Sequence, residues 1–231
     1  MKQKILRLLP GFAAPLAALL VNVFVYYFPR LVRTMEESVS RETALDRALP
    51  FVPFFIVFYV GAYLQWAAYY IRTGLDTAKG RTRFAAGEML AKGICLVLFL
   101  AMPVTIVRPE VKGDGLFPSL VRFLYSIDTP QCLFPSIHCL QSWLCVRYTA
   151  WKRGWASPAA LAEAAFSALV FASTVLLRQH FALDVLAGVL AAEAGLIFAD
   201  RSGLTARLDR MTEKIRRLCD AKARKEDGAC S

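Results

Sequence analysis

The chain has only two histidines, and none of its six cysteines is spaced as a C-x-x-C pair. The sequence therefore predicts neither a zinc site nor a disulfide framework, because both need clustered ligands or paired thiols. Charged residues make up 20% of the 231 residues, whereas hydrophobic residues make up 57%. A soluble domain of this size would have difficulty keeping so much apolar surface dispersed. The composition predicts an integral membrane protein.

The apolar residues come in six blocks, each about as long as a helix that crosses the roughly 30 Å hydrocarbon core of a bilayer. We predict an all-α fold, a bundle of six transmembrane helices with an amphipathic C-terminal tail helix. Residues 1–200 are assigned to the bundle and residues 201–231 to a basic cytoplasmic tail. The predicted spans are about Leu8–Phe28, Phe51–Ile71, Glu88–Val107, Ser136–Trp151, Pro158–Leu177 and Leu183–Ala199. A basic loop with Lys79, Arg81 and Arg83 is predicted between the second and third spans, and Arg108 is predicted to end the third.

The formal net charge of +10 does not indicate a nucleic-acid partner, because the basic residues lie in the connections and the tail rather than in a patch interleaved with aromatics. The positive-inside rule places both termini in the cytoplasm, although the first connection, with four arginines, disagrees. The tail carries an apolar stripe among cations, which favours a helix on an anionic membrane face; a solvated tail helix is the alternative. We expect a multi-pass protein of the cell membrane.

His180 and Asp184 stand four residues apart at the start of the last apolar block. On a helix this spacing puts them on one face, where the carboxylate can hold the imidazole in one tautomer and stabilise its charged form. The other histidine, His138, also begins an apolar block. Alternation of the spans places Arg108, His138 and His180 on one side of the membrane, which is the extracytoplasmic side under the predicted topology.

These residues suit phosphoryl transfer at a membrane surface. His180 could attack phosphorus and form a phosphohistidine, His138 could protonate the departing oxygen, and Arg108 could neutralise phosphoryl oxygens. Ser136 resembles an N-cap, and free N–H groups at that helix start would favour a phosphate. No metal and no cofactor are required. Each residue alone also has a structural interpretation, as an interface histidine, a helix stop or a partner for another donor.

The segment Pro135-Ser136-Ile137-His138, together with His180, Asp184 and Gly188, resembles the phosphatidic acid phosphatase type 2 superfamily, whose signatures run roughly K-x6-R-P, P-S-G-H and S-R-x5-H-x3-D. The resemblance extends over about residues 92–188. It implies a membrane-embedded helical enzyme with His180 as nucleophile, Asp184 as its support and His138 as general acid.

The sequence departs from the signatures at three positions. Ala101 stands where the first motif has lysine, Ile137 replaces a glycine, and Thr174 replaces the arginine of the third motif. Arg178, Lys112 or Gln179 could supply the missing phosphate contacts. The reduced pattern is similar to the sphingomyelin and inositol phosphorylceramide synthase branch, which transfers a head group to a lipid alcohol.

Three functions follow as hypotheses. The first is a lipid phosphatase that hydrolyses a phosphate ester or diphosphate of an amphiphilic membrane lipid through a phosphohistidine. The second is a lipid phosphotransferase, which differs only in that an alcohol replaces water. The third, from another class, is a transporter or flippase with a His and Asp proton relay. Against transport, the polar residues cluster at one surface rather than at the midplane.

Overall fold

The computed structural model describes the backbone of residues 2–228 and the side chains of residues 10–219. Most of this part of the chain is helical, which confirms the predicted all-α class. In chain order the helices are α1 (Lys2–Val32), α2 (Ala44–Ala48), α3 (Ile56–Gly74), α4 (Ala78–Ala101), α5 (Leu116–Ile127), α6 (Ile137–Arg153), α7 (Pro158–Leu176), α8 (Ala182–Arg201) and α9 (Leu204–Gly228).

Five of the described helices, α1, α3, α4, α7 and α8, are long and apolar enough to cross a membrane. The chain is therefore a multi-pass membrane protein. Helix α6, the predicted fourth span, has 17 residues and is not one of the five. It contacts α3, α4, α7 and α8, and eleven of its residues are buried. A helix surrounded by protein does not need an apolar surface for lipid, so its mixed composition suits its central position.

The third helix differs from the predicted span of Glu88–Val107. Helix α4 begins at Ala78, inside the segment predicted to be a basic loop, and ends at Ala101 before a proline. After Met102 and Pro103 the chain forms the strand β2 (Val104–Thr105), which pairs in parallel with β1 (Val39–Ser40). The prediction that Arg108 ends this span is wrong, because Arg108 follows the strand. The long connection after it is ordered and carries α5.

Small residues let α8 lie close to its neighbours. A Cβ on Gly195 would clash with the backbone of Gly87 on α4, and a Cβ on Gly188 would clash with the carbonyl oxygen of Ser136 at the start of α6. Glycine at both points brings the backbones together, as in many membrane helix pairs. Helix α8 is thereby held against both α4 and α6, and the first turns of α6 and α8 become neighbours.

Helix α9 begins after Gly203, whose φ of 69° suits glycine. The helix packs on α1 and α4, with Leu208 buried against alanines of α1, α4 and α8. Met211 and Leu218, which belong to the predicted apolar stripe, are exposed. Residues 229–231 of the predicted tail lie outside the described residues, and the position of the tail on a membrane face stays a prediction.

Candidate active site

A cavity of about 280 Å³ lies at the end of the bundle where α6 and α8 begin. His138, Gln179 and His180 line one side of it, and Asn22 on α1 lines another. Much of the remaining wall is aromatic and comes from α1, α3 and α4. The aromatic lining residues are Tyr26, Tyr27, Tyr59, Tyr63, Trp66 and Phe99.

His180 stands just before α8, one helical turn ahead of Asp184. Nδ1 of His180 is 3.3 Å from Oδ2 of Asp184. The same carboxylate oxygen accepts the backbone N–H of Phe181 at 2.9 Å, so one group both caps the first turn of α8 and orients the imidazole. When Nδ1 donates its proton to Asp184, Nε2 keeps its lone pair. That nitrogen is the candidate nucleophile.

His138, the second residue of α6, is enclosed by aromatic rings. Its ring stacks on Tyr59 at a centroid distance of 4.3 Å and tilts against Trp66 at 4.9 Å. The side chain is 9% exposed, and Nε2 has no hydrogen-bond partner among the described residues. A buried polar atom without a partner costs free energy, which a bound ligand can recover. His138 is thus held rigidly with one ring nitrogen free for a ligand.

The two imidazoles lie on the same cavity. Their ring centroids are 6.2 Å apart, and both side chains are at most 9% exposed. At this separation one phosphoryl group can contact both rings. The structure therefore brings together three of the residues singled out from the sequence: His138, His180 and Asp184.

The neighbouring first turns of α6 and α8 are joined by backbone contacts. The N–H of Ser136 donates to the carbonyl oxygen of Asp184 at 3.0 Å. The hydroxyl of Ser136 accepts the N–H of Cys139 at 3.4 Å, as expected for an N-cap. Ser136 is fully buried, so its observed role is to cap α6 and to join it to α8. Its contact with phosphate stays a prediction.

Arg178, a predicted phosphate ligand, points elsewhere. Its φ of 49° lies in the left-handed region and turns the chain between α7 and α8. Its guanidinium donates to the carbonyl oxygens of Asp46 at 2.6 Å and Leu49 at 2.8 Å, and pairs with Glu42 at 3.7 Å. Arg178 therefore binds the turn before α8, which contains His180, to the connection between α1 and α3. The side chain of Arg178 does not line the cavity.

Two further acceptors hold the same turn. The carbonyl oxygen of Thr174 accepts the N–H groups of Gln179 at 2.9 Å and His180 at 3.0 Å. The buried carboxylate of Asp46 accepts the N–H of Ala182, the first residue of α8, at 2.8 Å. The position of His180 thus depends on a residue far away in the sequence, and Asp46 was not identified from the sequence.

Arg108 stands behind Gln179 rather than among the lining residues. Its Nη2 donates to Oε1 of Gln179 at 2.8 Å, and its Nη1 donates to the carbonyl oxygens of Tyr125 and Asp128. Gln179 is 1% exposed. Its amide nitrogen Nε2 has no hydrogen-bond acceptor in the described part of the chain. Arg108 orients this amide, and Gln179 itself is one of the residues that line the cavity.

A second arginine, Arg30 on α1, lines the cavity directly. Its Nη2 lies 3.1 Å from Oδ1 of Asp128, and its Cζ lies 3.6 Å from the centre of the Tyr26 ring. Sequence reasoning placed Arg30 in an interfacial connection and missed it as a site residue. The alternation of the spans across the membrane could have identified Arg30, since Arg30 follows the first apolar block on the same side of the membrane as His138. Lys112, also proposed from the sequence, is exposed on the connection before α5, outside the cavity.

The fold and the cavity define a multi-pass membrane protein with a pair of histidines, one of them held by a carboxylate, at one end of a helix bundle. Residues 119–198 match the family model described as the PAP2 superfamily. This match covers about a third of the chain and includes His138, His180, Asp184 and Gly188. It confirms the resemblance and indicates an enzyme of the phosphatase and phosphotransferase kind. No curated protein and no solved structure matches the chain.

Proposed function

We propose that the protein is a membrane lipid phosphatase that hydrolyses a phosphate ester or diphosphate of an amphiphilic substrate through a phosphohistidine at His180. The observation that carries this proposal is the pair of buried imidazoles on one cavity, 6.2 Å apart, with Asp184 on the Nδ1 side of His180. The nucleophile and the proton donor both come from the chain, so the reaction invokes no metal.

In the first step Nε2 of His180 attacks phosphorus while the bond from phosphorus to the leaving oxygen breaks. The leaving oxygen takes its proton from His138, and Asp184 stabilises the positive charge that develops on His180. His138 begins this step protonated and ends it neutral, and its enclosure by Tyr59 and Trp66 keeps the ring in one orientation. Fixed geometry of this kind lowers the barrier because orientation is settled before the reaction.

In the second step a hydroxyl attacks the phosphohistidine, His138 removes the hydroxyl proton, and the bond between phosphorus and Nε2 breaks. Water gives hydrolysis, and a lipid alcohol gives head-group transfer. The departures at Ile137 and Thr174 from the superfamily signatures support the transferase as the second candidate. The aromatic part of the cavity wall, from Tyr27 to Trp66 and Phe99, supports it as well, because apolar surface beside the site favours a lipid alcohol over water.

An amphiphilic substrate is supported by the side of the cavity formed by α1 and α3. Val23, Tyr27 and Tyr63 line the cavity and are also exposed, and they belong to helices that have the length and composition of membrane spans. A gap between such helices opens toward lipid chains. A phosphate held between the histidines would then carry its apolar chain outward between α1 and α3.

The topology we propose has six membrane crossings, with α6 as the central one, and with both termini in the cytoplasm. Residues 1–200 form the catalytic bundle and residues 201–231 a cytoplasmic tail on the membrane face. The cations of the connections and the tail support this orientation, which puts the cavity on the extracytoplasmic side.

The test is turnover of lipid phosphates by purified full-length protein in detergent, measured with and without EDTA. We expect activity in EDTA, its loss in His180→Ala and His138→Ala, and a large decrease in Asp184→Asn. Glu193→Gln is the matched control on α8, because Glu193 pairs with Arg147 and with the Trp143 indole away from the cavity. Full activity in either histidine variant would disprove the proposal. Release of phosphate or transfer of the head group to a labelled lipid alcohol separates the two candidates.

A further inference from the structure

The cavity contains more donors than the two histidines account for. Among the buried side-chain atoms without a partner in the described residues are Nε of Arg30, Nε2 of Gln179 and Nε2 of His138, and all three residues line the cavity. Buried donors are nearly always paired in folded proteins. The Arg30 and Gln179 atoms are fixed donors, and Nε2 of His138 donates when the ring is protonated, so these residues around one cavity indicate a ligand rich in acceptor oxygens.

Neighbouring residues determine which hydrogen-bonding groups of Gln179 and Arg30 remain available to a ligand. Arg108 donates to Oε1 of Gln179, so the amide can present only its NH₂ group to the cavity. Asp128 holds Nη2 of Arg30 at 3.1 Å and the Tyr26 ring covers one face of the guanidinium, which leaves its Nε edge without a partner. Both groups are therefore preorganised donors, and one of them carries a positive charge.

The charges near this end of the cavity favour an anion. Arg30 and Arg108 both pair with the single carboxylate of Asp128, at 3.1 Å and 3.7 Å. One positive charge remains after this pairing. An anion that accepts several hydrogen bonds, such as a phosphoryl group, would use this charge and the free donors together.

We propose that Arg30 and Gln179 form the phosphate-binding site of this cavity, with Arg108 as a positioning residue behind Gln179. The proposal deepens the proposed function and rests on it for the identity of the ligand as the phosphate of a lipid. These two residues, from α1 and from the turn before His180, take the place of the cations that the motif pattern lacks. Arg178 and Lys112 play no part in binding.

Gln179→Glu is the sharpest variant. It keeps the shape of the side chain and the acceptor for Arg108, and it replaces the donor with a negative charge. If Gln179 only supports Arg108, binding of phosphate stays close to that of the wild type; if Gln179 donates to phosphate, binding weakens by about tenfold or more. Arg30→Gln removes the charge on α1. Its matched control is Arg33→Gln, just past the end of α1, where the guanidinium donates to the carbonyl oxygen of Leu100 instead.

The experiment is a titration of full-length protein in detergent, followed by intrinsic tryptophan fluorescence because Trp66 lines the cavity. The probes are inorganic phosphate and a short-chain phosphatidate. We expect saturable binding of both by the wild type, with the phosphatidate tighter, and weakening by about tenfold or more in Gln179→Glu and Arg30→Gln. Arg33→Gln should bind as the wild type does, and thermal unfolding confirms that each variant is folded.

Wild-type protein without saturable phosphate binding, or folded Gln179→Glu and Arg30→Gln proteins that bind as the wild type does, would overturn the proposal. Tighter binding of inorganic phosphate than of phosphatidate would overturn a lipid as the ligand. Failure of the proposed function is distinguishable, because it would appear as full turnover in His180→Ala whatever the binding data show.

Discussion

The two ends of the bundle treat their charged groups differently. At the end opposite the cavity, cations and carboxylates meet one another: Asp76 lies 2.6 Å from Lys152, and Arg83 and Asp200 make two hydrogen bonds of 2.8 Å. Buried polar atoms without a partner among the described residues occur at both ends, Nε and Nη1 of Arg81 among them at the opposite end. At the cavity end, however, such atoms belong to His138, Gln179 and Arg30, which line one cavity, and a ligand in that cavity can offset their cost. This shared cavity makes that end the candidate binding site.

The comparison predicts that the largest decrease in turnover comes from moving α8, which follows His180, away from α6, which contains His138. In Gly188→Ala the new methyl group would clash with the carbonyl oxygen of Ser136, so α8 must move from the start of α6. A shift of about 1 Å can cost about a hundredfold in turnover. We expect a loss of this order, measured as kcat on the best lipid phosphate substrate.

Gly93→Ala on α4 is the matched control, since a Cβ at Gly93 meets nothing within 4 Å. It should keep full turnover and gain about 0.5–1 kcal/mol of stability from better helix propensity. If Gly188→Ala turned over substrate like this control, the close approach of α6 and α8 would not matter for catalysis.

A smaller effect is expected from Asp46, which acts on His180 from a distance. Burial raises the pKa of the Asp46 carboxyl. Hydrogen bonds from Ala182 and Thr43 and the charge of Arg178 lower this pKa by more than burial raises it, so it lies below its ordinary value. The ionised form is therefore the one that the fold stabilises. Asp46→Asn weakens the acceptor for the N–H of Ala182, and we expect kcat to fall by about tenfold, as for one lost charged hydrogen bond.

The lowered pKa of Asp46 gives this prediction a pH dependence. The stabilising contribution is complete above the ordinary carboxyl pKa of about 3.9 and is lost as pH falls through the lower value in the folded protein. The wild type should therefore lose thermal stability on acidification at low pH, and Asp46→Asn should lose less over the same range. Asp114→Asn, at an exposed position, is the control for kcat. Equal kcat in both variants would count against a positioning role.

The smallest effect on turnover is expected at the opposite end. Although burial raises the pKa of Asp76, hydrogen bonds from Lys152, Thr77 and Tyr148 and the charge of Lys152 bring it below the ordinary value. Asp76→Asn should lower the free energy of unfolding by about 1 kcal/mol, because the Lys152 partner is partly exposed and solvent weakens the pair. Turnover should stay within about twofold of the wild type. A large loss of kcat here would remove the distinction between the two ends.

The spacing of His180 and Asp184 predicted their contact from the sequence alone, because helical geometry fixes neighbours four residues apart. The meeting of His138 with His180 followed from the alternation of spans. The direction of Arg178 could not be predicted, since it depends on a left-handed backbone conformation and on carbonyl oxygens 129 and 132 residues away. The side of the membrane on which Arg30 lies could be predicted from the alternation of the spans, but its pairing with Asp128, 98 residues distant, could not.

The boundaries of α4 show a different limit. The cations Lys79, Arg81 and Arg83 suggested a loop, yet they lie in the first turns of the helix. Long basic side chains can extend from a helix end to water or to partners such as Asp200, so charge alone does not mark the end of a helix near a membrane interface. The sequence thus indicated the helical class and the order of the long helices better than where each one begins, and the count of six crossings stays a prediction.

The most direct test of the central claim is to trap the intermediate. An aryl phosphate has a leaving group that needs no general acid, so His138→Ala protein should still form the phosphohistidine but should release phosphate slowly. The reaction is quenched in alkali, which preserves phosphorus bound to histidine, and the sites are read by mass spectrometry. The account predicts a phosphoryl group on His180 that accumulates in His138→Ala and is absent in His180→Ala. Turnover with no phosphorylated His180, or a phosphoryl group on another residue, would contradict it.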